Sequence, residues 1–168
     1  MDKENDCTIV YDGKQLSGRA GMPLIDFLEL NSIDLPHVCY HPSLGPLETC
    51  DSCWVEVEGE LKRGCTLKAQ EGLTITSQNE FAVAARHEGM DRLLSKHELY
   101  CTVCANNTGD CTLHNPMAER DIPIQRYEFQ RKPYEKDTSS PFYTYDPDQC
   151  ILCGRCVEAC QNVEVNET

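Results

Sequence analysis

The 168 residues predict an α+β fold, a β-grasp domain at the head of the chain with cysteine-rich, loop-rich segments behind it. Three observations carry the prediction. Two strand-like runs meet at a tight turn and are followed by one short amphipathic helix; further strand-like runs follow before residue 77; and nearly all of the twelve cysteines lie outside these runs, in three close groups.

Thr8-Ile9-Val10-Tyr11, the pair Asp12-Gly13 and Lys14 to Ser17 read as strand, two-residue turn and strand. Pro23 suits a helix start, Leu24, Phe27 and Leu28 keep a helical period, and Pro36 forbids a long continuation. One helix is therefore expected across the hairpin. Trp54 to Val57 forms a strand ahead of a turn at Glu58-Gly59-Glu60, and Leu73 to Thr76 alternates cleanly as another.

Behind them, Ser77 to Glu80 fits a capping box, and Phe81, Ala84, Ala85, Met90, Leu93, Leu94 and His97 recur near the helical period, predicting a helix from 79 to 97. From Asn106 the chain reads as loop, with one helical turn near Met117 to Arg120. Lys132 to Pro147, with three prolines and Phe142-Tyr143-Thr144-Tyr145, reads as a linker that packs its aromatics on a neighbour.

Composition narrows the function. Fifteen basic against 28 acidic side chains give a formal charge of −13, which disfavours nucleic acid and anionic membrane surfaces. An apolar content of 40% supports modest cores and excludes a large cofactor barrel. The polar N-terminus lacks a secretory pattern and no apolar run approaches a bilayer span, so a cytoplasmic location without membrane insertion is expected. In that reducing compartment, cysteines in close groups read as metal ligands rather than disulfides.

The first group is Cys39, Cys50, Cys53 and Cys65, spaced C-x10-C-x2-C-x11-C. Four thiolates from loops can hold one zinc ion or a [2Fe-2S] cluster. A lone Cys, a close CxxC and a distant fourth on a β-grasp domain favour iron–sulfur. The second group, His97, Cys101, Cys104 and Cys111, could hold a [4Fe-4S] cluster or zinc, and spacing does not separate the two. The third, Cys150, Cys153, Cys156 and Cys160, has the C-x2-C-x2-C-x3-C run of bacterial ferredoxins, where the fourth Cys of a run ligates the other cluster of a pair. With no second run here, Cys160 either closes a local site or serves a cluster whose other ligands lie elsewhere. Cys7 reads as an ordinary strand residue. His37 and His41 flank Cys39, within reach of cluster sulfur, but His37, His41, His87 and His114 read by default as solvated loop or surface residues.

The segments PHVCYHP and CDSCWVEVEG, then HELYCTVCANNTGDCTLHN, then DPDQCILCGRCVEACQNVEVNET resemble the N-terminal iron–sulfur region of the molybdopterin-dependent formate dehydrogenase α subunit. The large iron–sulfur subunit of NADH:quinone oxidoreductase and the iron-only hydrogenases are similar, although CxxC-x6-C and NNTGDCTLHN look closer to formate dehydrogenase. The resemblance implies [2Fe-2S] on Cys39, Cys50, Cys53 and Cys65, and [4Fe-4S] on His97, Cys101, Cys104 and Cys111. It implies a further [4Fe-4S] on Cys150, Cys153 and Cys156, its fourth ligand missing from this chain, with Cys160 reaching toward another cluster.

So divided, the chain has a [2Fe-2S] ferredoxin-like β-grasp domain at 1–78 and a small helical and loop [4Fe-4S] domain with one His and three Cys ligands at 79–131. A linker at 132–147 leads to the first half of a bacterial ferredoxin-like [4Fe-4S] domain at 148–168. The expected function is electron transfer, relaying single electrons between a molybdopterin formate site holding molybdenum or tungsten, absent from these residues, and an external acceptor. The implied partners are the remainder of the catalytic subunit and an electron-acceptor protein. No catalytic residue is expected within the chain. The competing class is a zinc-stabilised interaction protein.

Overall fold

The computed structural model describes residues 6–104, 111–119 and 126–164. Its first part is a five-stranded mixed sheet. Strands β1 (Asp6–Tyr11) and β2 (Lys14–Arg19) form the expected hairpin, and helix α1 (Leu24–Leu30) follows. Strands β3 (Trp54–Val57), β4 (Glu60–Arg63) and β5 (Thr74–Thr76) complete the sheet in the order β2-β1-β5-β3-β4. Among the described residues only β1 and β5 pair in parallel; the other strand pairs are antiparallel.

The hairpin closes at Asp12-Gly13 because both residues take positive φ, +48° and +80°, matching the twist of the flanking strands. Asp12 also ties the turn to the end of β5: its carboxylate accepts from the Ser77 backbone N–H and hydroxyl, each at 2.6 Å. Alternation on β1 buries Cys7, Ile9 and Tyr11, the strand position expected for Cys7. Leu24, Ile25, Phe27 and Leu28 of α1 cover that face. Gly18 is required on β2, since a Cβ there would stand 2.7 Å from the Phe27 ring.

Several expectations need correction. Strand β4 was not anticipated, because Glu60-Leu61-Lys62-Arg63 sits at the sheet edge with no buried residue to produce an apolar alternation. Helix α2 runs Glu80–Leu94, and its cap is Asn79, whose side chain accepts from Ala82 N at 2.8 Å, because the Ser77 hydroxyl is engaged by Asp12. Phe81 is exposed despite its place in the periodic pattern, and His97 lies three residues beyond the helix.

Buried Arg86 fastens α2 to the sheet by donating to the carbonyls of Trp54 (2.6 Å) and Ser77 (2.7 Å). Helix α3 (His114–Glu119) replaces the expected turn at Met117 to Arg120; Arg120 lies outside the described residues. Helix α4 (Arg155–Glu158) belongs to the last cysteine run. In the 132–147 segment, Asp137 and Tyr145 exchange backbone hydrogen bonds at 2.8 and 2.9 Å, closing a loop that leaves Tyr134, Phe142 and Tyr143 exposed rather than packed within the chain. Among the described residues no helix is long and apolar enough to cross a membrane.

Candidate functional site

Cys39 lies in the long loop after α1, Cys50 and Cys53 in the turn before β3, and Cys65 in a one-turn 3-10 helix (Gly64–Thr66) after β4. All four are buried. Their charge states are set pairwise, Cys39 chiefly by Cys50 and Cys53 chiefly by Cys65, and thiols of one pair feel the charge of the other. Cys50 pulls the Cys39 thiol down to about 5 against the opposing cost of burial, and the same interaction pushes Cys50 up. Cys53 is lowered and Cys65 raised, chiefly by each other.

Among the described residues no three His, Cys, Asp or Glu side chains group closely enough to hold a single metal ion. Two thiol pairs suit a two-iron rhomb, in which each iron takes two protein ligands. The donor set therefore fits [2Fe-2S].

The loop around these thiols is pinned by charge. Asp51, at φ +54°, accepts from Arg63 Nε of β4 at 2.8 Å and from Arg92 Nη2 of α2 at 3.1 Å. Gly89 lets α2 press on the same residue: a Cβ there would stand 2.4 Å from the Asp51 carbonyl oxygen. Gly64 donates to the Cys53 carbonyl at 2.8 Å, and a Cβ on it would meet Leu35 at 2.5 Å. The Ser52 hydroxyl, buried, lies 3.1 Å from Cys50 Sγ.

At the second site, His97 Nδ1 lies 3.2 Å from the Gln149 carbonyl. A carbonyl only accepts, so Nδ1 carries the proton and Nε2 keeps its lone pair for a metal. Burial pushes the imidazole below its ordinary value, which also favours the neutral ligand form. Cys101 opens a single 3-10 turn that ends at Cys104, and Cys111 receives the His114 backbone N–H on its sulfur at 3.3 Å. Residues 105–110 lie outside the described residues.

In the third run, Leu152 and Gly154 take φ +58° and +81°, so the backbone coils between Cys150 and Cys156. Cys156 lies on α4, and Cys160 lies in a wider turn behind it.

This run is held against both other sites. Arg155 Nη2 donates to the Tyr40 carbonyl at 2.6 Å. The Thr49 hydroxyl donates to the Cys153 carbonyl at 2.9 Å. On the other side the Glu98 N–H donates to Asp148 O at 2.9 Å, and buried Asp148 accepts from Arg131 at 2.7 Å. One apolar cluster gathers residues from all three sites: Cys39 and Cys50 with Val38, Met90, Leu93, Leu94 and Leu113, and packed against them Cys111, Ile151 and Cys153.

His37 instead bonds the Leu35 carbonyl at 2.9 Å, and His41 accepts from Ser43 N at 3.1 Å. Sequence reasoning missed Thr49, Asp51, Ser52, Gln149 and Arg155. Their only signal is adjacency to the cysteines.

Three family models match: a 2Fe-2S iron–sulfur cluster binding domain over residues 4–80, the NADH-ubiquinone oxidoreductase-G iron–sulfur binding region over 86–126, and a 4Fe-4S binding domain over 143–163. The probable oxidoreductase YjgC of Bacillus subtilis is 51% identical over 96% of this chain, and a putative formate dehydrogenase of Staphylococcus haemolyticus is 48% identical over 95%. The chain spans 16% of the length of each. Among solved structures, an NAD+-reducing [NiFe]-hydrogenase in the H2-reduced state aligns with a TM-score of 0.81 and 28% identity, over 92% of this chain and 65% of that one.

Proposed function

We infer, from a chain that belongs to the formate dehydrogenase-like iron–sulfur oxidoreductases, that its residues hold clusters which pass single electrons between a catalytic site elsewhere in the full-length protein and an outside acceptor. Cys39, Cys50, Cys53 and Cys65 hold [2Fe-2S]. His97, Cys101, Cys104 and Cys111 hold a [4Fe-4S] cluster, and Cys150, Cys153 and Cys156 a further one, with Cys160 directed to a neighbouring cluster. When bound, these groups supply one-electron chemistry.

The chain's own residues place and insulate them. Gln149 fixes the His97 tautomer, Arg155 and Thr49 hold the last run against the first loop, and Asp51 locks that loop to β4 and α2. The observation that carries the reading is the apolar cluster that candidate ligands of all three groups join or pack against.

By the same reading the remainder of the subunit holds molybdopterin with molybdenum or tungsten and takes electrons from formate, and a cytoplasmic location keeps the thiols reduced. The likeness to the hydrogenase and to the NADH-ubiquinone oxidoreductase region supports a second reading, in which the same module serves a different catalytic site. Iron and acid-labile sulfide are to be measured on anaerobically purified full-length protein, followed by formate addition under electron paramagnetic resonance. Iron with matching sulfide and formate-dependent reduction are expected; stoichiometric zinc without sulfide sinks the relay, and cluster reduction by hydrogen or NADH but not formate supports the second reading.

A further inference from the structure

Ser52 stands between the two cysteines of the close pair at the first site, 1% exposed, with its Oγ 3.1 Å from Cys50 Sγ. Between a free thiol and a hydroxyl either atom can donate. Once Cys50 binds iron as thiolate its sulfur has no proton, and the hydroxyl has to be the donor. Among the described residues that sulfur is its one side-chain partner.

We propose that Ser52 is a positioning residue whose hydroxyl donates to the Cys50 thiolate and raises the reduction potential of the [2Fe-2S] cluster. This deepens the proposed function and rests on its assignment of Cys50 as a ligand. Reduction adds one negative charge to the cluster, and the thiolate sulfurs carry part of it. A donor aimed at one of them therefore binds the reduced form more strongly than the oxidised form. Exclusion from water strengthens the difference, because no solvent dipole competes for the sulfur. A hydroxyl that only braced the turn would contribute equally in both redox states and leave the potential alone.

The test uses full-length protein purified anaerobically, with Ser52→Ala, which deletes only the oxygen, and Ser52→Thr, which restores a hydroxyl. Iron and sulfide, with the slowly relaxing two-iron signal in electron paramagnetic resonance, establish that the cluster is present. That signal is then titrated against potential. In Ser52→Ala the reduced-to-oxidised ratio at fixed poise should fall by about tenfold, equivalent to about 59 mV for one electron. Ser52→Thr should recover most of it.

Electron–nuclear double resonance on wild type after exchange into D2O should show an exchangeable proton coupled to the reduced cluster. That coupling should be missing from Ser52→Ala. An unchanged potential in Ser52→Ala with its cluster intact overturns the proposal. Should Ser52→Ala fail to load iron, the wild-type spectrum decides, and absence of the exchangeable coupling overturns it equally. Absence of any two-iron signal from wild type strikes instead at the ligand assignment beneath it.

Discussion

The first and third cysteine groups hold similar ligand sets in opposite ways. Cys39, Cys50, Cys53 and Cys65 are all buried, seated between a five-stranded sheet, α1 and α2, and Cys53 and Cys65 belong to the same apolar core as Phe27 and Ile9. Cys150, Cys153, Cys156 and Cys160 are half-buried or exposed, on one turn of helix and irregular backbone. Their attachment is the packing of Ile151 and Cys153 on the shared apolar cluster and a short set of polar contacts through Thr49, Arg155, Gln149 and Asp148. Leu152, Val157 and Val163 beside them remain exposed. The fold preforms the first site. The third is organised by its docking, and cluster binding is expected to contribute a larger share of its order.

The comparison makes an asymmetric claim: damage to the first region spreads to the third, while damage to the third stays local. The largest effect is expected from Phe27→Ala, which empties the centre of the first core and should cost about 3–5 kcal/mol. Urea unfolding followed by far-ultraviolet circular dichroism should show the lowered midpoint. Amide exchange should show residues 150–164 losing protection together with the sheet, since the loop that carries Thr49 and that Arg155 grips is lost. Continued protection of the last run would break the hierarchy.

Arg155→Ala is the reverse experiment. It removes a charged donor from the Tyr40 carbonyl, a loss of about 1–2 kcal/mol at a partly exposed position. Exchange should quicken over 150–164 while the midpoint of the sheet stays put. A fall in both would show the two regions to be one cooperative unit.

The smallest effect concerns acid. The Lys136 ammonium, 2.6 Å away, holds the Asp146 carboxyl below its ordinary value, and Asp146 also accepts from the Asp148 N–H at 3.1 Å ahead of the third run. A lowered folded value means that this contribution is fully present above the ordinary carboxylate range. It is lost as pH falls from about 4 through the lowered value. Exchange measured over that range should loosen 146–150 in wild type and be flatter in Asp146→Asn. Equal slopes would remove Asp146 from the third region's support.

Local chemistry made much of the first region legible. Asp12-Gly13 can close little but a hairpin, and Leu24, Phe27 and Leu28 fall on one face of a helix whose length two prolines limit. Cysteine spacing picked out the groups but not their pairing, because Cys39 meets Cys50 and Cys53 meets Cys65 only once the loop has folded over the sheet. The polar supports were hidden for a related reason. Thr49 meets Cys153 across 104 positions and Arg155 meets Tyr40 across 115, and no local pattern encodes such contacts. Helix α2 shows local signals competing, since Ser77 could have capped it had Asp12 not drawn its hydroxyl away.

Strand β4 has a consequence of a different kind. It is one outer edge of the sheet and β2 is the other, so both present backbone groups to which a second chain could add a strand. Lys14, Gln15, Ser17 and Arg19 along β2, and Glu60, Lys62 and Arg63 along β4, place charge and polarity where such an addition would have to pack. The absence of apolar alternation that hid β4 from a reading by periodicity is thus also protection against aggregation, in a sheet that two copies of the protein could otherwise extend end to end.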